Sequence, residues 1–299
     1  MRGVFTALVT PFNSKNELDL ESFKRILLDQ RDAGVAGVIP CGTTGESPTL
    51  SKDEKKKLIL TALETLKGSG VKVLAGTGSN DTADTVEFSR WASDQGVHGL
   101  LVVTPYYNKP SQAGLTAHFS AVADAVQCPV MLYNVPGRTG ISLTAETVAE
   151  LAKHPRIASL KEATSNVAFA SEILDLLKLA GRPMTLLSGD DAAYLPLLAI
   201  GSHGVVSVAS NLFPRAMVAI QKHFQAGRVA EATQLHQRFY PLFRDLFIDS
   251  NPVPIKHAMA FVGLCGPSVR APLAPLSAAH IQKLEASLRR CEVFEDSRL

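Results

Sequence analysis

The sequence predicts an α/β fold, a (β/α)8 barrel carrying a C-terminal helical extension, and three observations predict it. Eight short, apolar, β-branched runs recur along the chain, as expected of parallel strands buried on both faces. A stretch with helical spacing follows nearly every run, which is the alternation of a parallel β/α fold. No G-x-G-x-x-G turn follows the first run, so the open doubly wound sheet is the weaker alternative.

The strands are expected at 4–11, 37–41, 72–76, 99–104, 129–134, 157–161, 185–188 and 204–208. Between them, 19–33 places Leu20, Phe23, Ile26 and Leu27 on one helical face. Ser51 and Glu54 form a capping-box signature for the next helix. Helices follow at 81–95, 111–126, 144–153 and 166–179, with Thr144 and Asn166 as N-caps, and a short apolar one at 191–199. After the eighth strand the pattern turns wholly helical: 214–226, 228–247, 252–262 and 277–290. The first of these closes the barrel, so the division expected is a barrel over 1–226 and a helical extension over 227–299. A chain of 299 residues holds a barrel of about 250 residues with room for such an addition.

Composition removes several function classes. The net charge is +2, and the short run Lys55-Lys56-Lys57 sits in a charged helix start, so no basic surface for nucleic acid is expected. No apolar run spans a bilayer and no secretory signal opens the chain, so no membrane partner and a cytoplasmic location are expected. The four cysteines form no C-x-x-C pair. Cys41 reads as a small buried residue at a strand end rather than a nucleophile. Asp190-Asp191 precedes a helix and reads as capping rather than metal binding, and no His/Cys ligand cluster stands out. No metal and no cofactor are expected.

Barrel active sites lie at the C-terminal ends of the strands. Those ends carry hydroxyls, one lysine and one arginine: Thr43 and Thr44, Tyr107, Tyr133, Arg138 and Lys161. Lys161 closes the apolar run Ile157-Ala158-Ser159-Leu160. Burial of an amine disfavours its charged form, and the neutral amine attacks carbonyl carbon. Position alone also fits a lysine that snorkels to water. Tyr133 reads either as a proton donor and acceptor beside Lys161 or as a ring packed under a loop. Thr43 and Thr44, in a Gly-flanked turn, suit a carboxylate or simply the turn. Gly42-Thr43-Thr44-Gly45 lacks the G-K-[ST] ending of a phosphate loop.

At Ala7-Leu8-Val9-Thr10-Pro11-Phe12, Gly42-Thr43-Thr44-Gly45-Glu46-Ser47, Thr104-Pro105-Tyr106-Tyr107-Asn108, Tyr133-Asn134-Val135-Pro136-Gly137-Arg138-Thr139, Leu160-Lys161-Glu162-Ala163-Thr164 and Asn251-Pro252-Val253-Pro254-Ile255-Lys256, in that order, the chain resembles the dihydrodipicolinate synthase family. These are pyruvate-dependent Schiff-base lyases, and the wider family includes N-acetylneuraminate lyase. The resemblance covers nearly the whole chain. It implies that Lys161 forms a Schiff base with pyruvate, that Tyr133 is the central acid/base, and that Thr43 links Tyr133 to Tyr107 in a proton relay. It implies that Tyr107 is donated across a dimer interface. Thr44 and the backbone of Val206 would bind the pyruvate carboxylate, and Arg138 the carboxylate of L-aspartate 4-semialdehyde.

The reaction so implied gives 4-hydroxy-tetrahydrodipicolinate in the diaminopimelate branch of lysine biosynthesis, without cofactor, in a homotetramer built as a dimer of dimers. The alternatives are an N-acetylneuraminate lyase-like or 2-keto-3-deoxy sugar acid aldolase, which the Gly-Arg-Thr at 137–139 disfavours, and a non-catalytic barrel. A lysine-responsive allosteric pocket would use Ser47, Lys55, Asn80, Asp84 and Tyr106. Lys55 stands where strongly inhibited members carry histidine, so weak or absent feedback is expected.

Overall fold

The computed structural model describes residues 1–291; the end of the expected extension, 292–299, lies outside them. The elements run β1 (Gly3–Ala7), α1 (Leu20–Ala33), β2 (Gly37–Ile39), α2 (Lys52–Thr65), β3 (Lys72–Gly76), α3 (Thr82–Asp94), β4 (Gly99–Val103), α4 (Gln112–Asp124) and β5 (Val130–Asn134). They continue with α5 (Pro136–Thr139), α6 (Ala145–Leu151), β6 (Ile157–Glu162), α7 (Val167–Leu179), β7 (Thr185–Ser188), α8 (Tyr194–Ala199) and β8 (Gly204–Ser207). The helices α9 (Pro214–Gln225), α10 (Val229–Asp245), α11 (Val253–Phe261) and α12 (Ala278–Arg290) complete the described chain. The eight strands follow one another in chain order around a closed barrel.

Local chemistry sets the helix ends. Asp19, Asp81, Ser111, Thr144, Asn166 and Ser277 each accept a backbone N–H of the first turn they open. Ser51 and Glu54 close the full capping box at the start of α2. Gly34 ends α1 in the left-handed region at φ 75°, where its N–H reaches Arg31 O.

Three expectations are corrected here. The first strand stops at Ala7, short of residue 11. The second strand stops at Ile39, short of residue 41, because Cys41 takes φ 61° and leaves the extended region. The helix after β7 begins at Tyr194, not 191, so neither aspartate caps it: Asp190 Oδ1 accepts Ala192 N in a turn before the helix.

The chain clusters into two compact units. One comprises Met1–Arg2 and Lys72–Val206. Within it β3 through β7 pair in parallel, and β7 meets β8 at Ser188 and Val205. The other comprises Gly3–Val71 and the chain from Ser207 onward. Here β1 pairs with β2, and the Phe213 ring stacks at 4.5 Å on Phe239 of α10. Among the described residues, no helix is long and apolar enough to cross a membrane.

Candidate active site

Successive side chains of a strand point to opposite faces. Tyr133 of β5 and Lys161 of β6 are register partners, and so are Asn134 and Glu162 one step on. The first pair therefore shares one face and the second pair the other.

A β-bulge makes this pairing. Val130 faces Ile157, but Met131 faces Ser159, so Ala158 is one residue extra on β6. Continued from Val130 without the bulge, the register would set Leu160 against Tyr133 and move Lys161 to the other face.

Lys161 is 4% exposed, and its Nζ lies 4.0 Å from the Tyr133 ring centroid. The ring is itself buried. No carboxylate forms an ion pair with Lys161 among the described residues. This is a buried amine against a phenol ring, with no counter-ion among the described residues.

The opposite face braces the pair. Asn134 donates Nδ2–H to Glu162 Oε2 at 2.8 Å, and Thr164 N donates to Glu162 Oε1 at 2.6 Å. Burial pushes the Glu162 carboxyl above the usual glutamate range, against those hydrogen bonds. Asn134 Oδ1 accepts Leu143 N at 3.0 Å, which ties down the segment that carries Arg138. Arg138 itself lies on the one-turn helix α5, opened by Pro136, and is exposed. Gly189 lets β7 close on β6, since a Cβ there would stand 2.6 Å from that of Ala163.

Tyr107 follows β4 in the left-handed region at φ 75° and is 89% exposed. A bulky side chain in that region is strained. Val206 lies on β8, fully buried.

Thr43 and Thr44 belong to the other unit, in the loop after β2. Thr44 is buried and accepts Asn251 Nδ2–H at 2.9 Å; Thr43 is half-buried. The loop is held from several sides. Thr10 Oγ1 donates to Gly45 O at 2.7 Å. Glu46, at φ 54° and buried, accepts Lys256 Nζ at 2.7 Å and Arg270 N at 2.9 Å. Lys256 also donates to Thr10 O at 2.8 Å and stacks over Phe12.

Of the expected allosteric residues, Asn80, Asp84 and Tyr106 lie in the first unit and Ser47 and Lys55 in the second. Burial raises the Tyr106 hydroxyl pKa, with the Asp84 charge adding to it. Asn80 O accepts Asn108 Nδ2–H at 2.8 Å. Among the described residues, no cluster of three or more His, Cys, Asp or Glu is arranged to hold a metal.

Sequence reasoning gave no role to Glu46, Asn251, Lys256 or Arg270. Two of its quoted motifs contain the first three, but the pairing of positions 210 residues apart carries no sequence signal.

A closed parallel barrel with a buried lysine, free of any ion pair among the described residues, at the end of one strand and a tyrosine on its neighbour has the groups that Schiff-base chemistry uses. Within that class the comparisons with known proteins are specific. Residues 1–291 match the model of the dihydrodipicolinate synthetase family, and the chain belongs to that family. A relative from Leptospira biflexa serovar Patoc, named 4-hydroxy-tetrahydrodipicolinate synthase, is 46% identical over 92% of both chains.

The solved structure of the 4-hydroxy-tetrahydrodipicolinate synthase from Methylacidiphilum fumariolicum SolV superposes with a TM-score of 0.95. It is 43% identical and is covered over 100% of this chain and 98% of its own. The enzyme from Cyanidioschyzon merolae, solved with lysine bound, gives 0.94 at 39% identity over 98% of each chain.

Proposed function

We propose that this enzyme condenses pyruvate with L-aspartate 4-semialdehyde through a Schiff base on Lys161, giving 4-hydroxy-tetrahydrodipicolinate and water, the diaminopimelate-branch step of lysine biosynthesis. The observation that carries the reading is the buried Lys161 amine, 4.0 Å from the Tyr133 ring and without a counter-ion among the described residues, in a chain of this family.

The neutral amine of Lys161 adds to the keto carbon of pyruvate. Tyr133 moves the protons that carbinolamine formation and loss of water require. The resulting iminium draws electrons from the adjacent methyl, which loses a proton to give an enamine. The enamine carbon bonds to the aldehyde carbon, whose oxygen takes up a proton. The amino group of the second substrate then adds to the iminium carbon, closes the six-membered ring and releases Lys161. Thr44 and the Val206 backbone hold the pyruvate carboxylate, and Thr43 links Tyr133 to Tyr107.

Arg138 takes the carboxylate of the semialdehyde, for which a guanidinium fork on an exposed short helix is suited. The names of the relatives favour this substrate over the sugar aldehydes.

The exposure and backbone strain of Tyr107 support its donation to a second copy of the chain, within a homotetramer in the cytoplasm. Monomers produced by dilution are then nearly inactive, and fully active monomers would contradict the relay.

The test is the initial rate with pyruvate and aspartate 4-semialdehyde, beside N-acetylmannosamine and glyceraldehyde. The expected result is a large preference for the semialdehyde that Arg138→Ala abolishes. A preference for the sugar aldehydes would move the protein to the aldolase branch.

A further inference from the structure

Asn251 lies between α10 and α11, remote in sequence from Thr44 yet bonded to it. It is 5% exposed, and its Nδ2 donates to Thr44 Oγ1 at 2.9 Å. A hydroxyl has one hydrogen to give and two lone pairs to receive with. The Asn251 amide occupies one lone pair, and a hydroxyl that accepts there must turn its own hydrogen elsewhere. Among the described residues that hydrogen meets no acceptor. A carboxylate is acceptor-only. A threonine fixed in this way therefore presents a donor to an anion.

We propose that Asn251 is a positioning residue for the pyruvate carboxylate, acting through Thr44 by fixing its hydroxyl as a donor. The inference rests on the reading above, in which Thr44 holds that carboxylate. The geometry is doubly anchored. Five residues after Asn251, Lys256 of α11 bonds Glu46 and Thr10 O, so the helix that follows the amide grips the loop that carries the threonine. Val253 N donates to Ser250 O at 2.9 Å and closes a tight turn around Asn251. The segments that carry the amide and the hydroxyl are thereby tied to one another, while the buried Asn251 Oδ1 has no hydrogen-bond partner among the described residues.

The polarity separates this role from simple packing. Asn251→Ala frees the hydroxyl rotor and raises the pyruvate half-saturation about fivefold to tenfold, the worth of one orienting hydrogen bond. Asn251→Asp keeps the shape but offers an acceptor. The Thr44 hydrogen turns to it, so the rise is larger, with the KM for semialdehyde unchanged in both variants. In a Thr44→Val background, Asn251→Ala has little further effect, because the group it acts through is gone.

The experiment measures pyruvate half-saturation by borohydride trapping on Lys161 in the intact enzyme. Wild type, both Asn251 variants, Thr44→Val and the Asn251→Ala/Thr44→Val double variant are compared. Wild type that traps no pyruvate overturns the functional reading itself. Wild type that traps normally, with Asn251→Ala and Thr44→Val additive or Asn251→Asp unchanged, overturns the positioning role alone. Asn251→Asp carries the test if Asn251→Ala does not fold.

Discussion

The Lys256–Glu46 pair offers the most demanding stability prediction. Both side chains are 0% exposed and meet at 2.7 Å. Two unit charges about 3 Å apart attract by roughly 5 kcal/mol at an effective dielectric of about 20. Taking both from water costs several kcal/mol per ion, so the intact pair contributes little net stability. Lys256 reports that balance: burial pushes its pKa below the usual lysine range despite the adjoining carboxylate. Removal of one partner is a different matter.

Lys256→Met leaves the Glu46 carboxylate buried with Arg270 N as its one remaining donor among those described, and strips Thr10 O of its lysine. It also removes the cation 4.2 Å from the Phe12 ring. The expected cost is about 3–5 kcal/mol. Urea unfolding at fixed protein concentration, followed by far-ultraviolet circular dichroism, measures it. Lys256→Met with Glu46→Gln removes the stranded charge and should cost less than the sum of the two single changes. A single-variant loss below about 1 kcal/mol, or strict additivity, would refute the claim that this pair is mutually dependent.

Three further outcomes are expected. Arg270 grips Glu54 with two bonds of 2.8 and 2.6 Å and, foremost among several partners, holds its carboxyl below the ordinary value of 4.5. That stability is present above pH 4.5 and lost as pH falls through the folded-state value, so the urea-midpoint gap between wild type and Glu54→Gln shrinks on acidification. A pH-independent gap would count against it. Burial pushes the Cys41 thiol to about 12, so only about one thiol in ten thousand is ionised near pH 8. Iodoacetamide should therefore spare Cys41 in the native enzyme, as peptide mapping would show, and rapid labelling would overturn this.

In a lysine-responsive pocket of the kind the resemblance implies, a cation at Lys55 would oppose the ammonium of a bound lysine, so feedback inhibition should be weak and Lys55→His should strengthen it. Inhibition of wild type by sub-millimolar lysine in a titration would contradict this.

The sequence made legible what is written in consecutive residues. Ser51 and Glu54 announce α2 because both halves of the capping box lie within one turn. Lys161 and Tyr133 were readable as strand-end residues of an apolar run. Their alignment was not, because it depends on the extra residue Ala158, and nothing in Ile157-Ala158-Ser159 distinguishes a bulge from a regular strand. Tyr107 could be named from its motif, but its positive φ and its exposure belong to the folded loop. Asp190-Asp191 shows the reverse failure. The local signal for a cap was sound, yet the turn consumed it before the helix began at Tyr194.

The late part of the chain braces the loop that carries Thr44, which its helical periodicity conceals. Asn251, Lys256 and Arg270 all bond to the loop after β2, at Thr44 or Glu46. That loop leaves the usual backbone regions twice, with Cys41 and Glu46 each at positive φ. Such a backbone persists only where its surroundings over-determine it, and here Asn251, Lys256 of α11 and Arg270, all from the end of the chain, supply the contacts. Loss of the chain from Asn251 onward would therefore release Thr44 as well as expose apolar surface. Truncation before residue 251 should abolish pyruvate trapping even in any fraction that retains helical and strand signal by circular dichroism. Retained trapping in such a fraction would show that β1, β2 and their loops set the geometry of Thr44 without help.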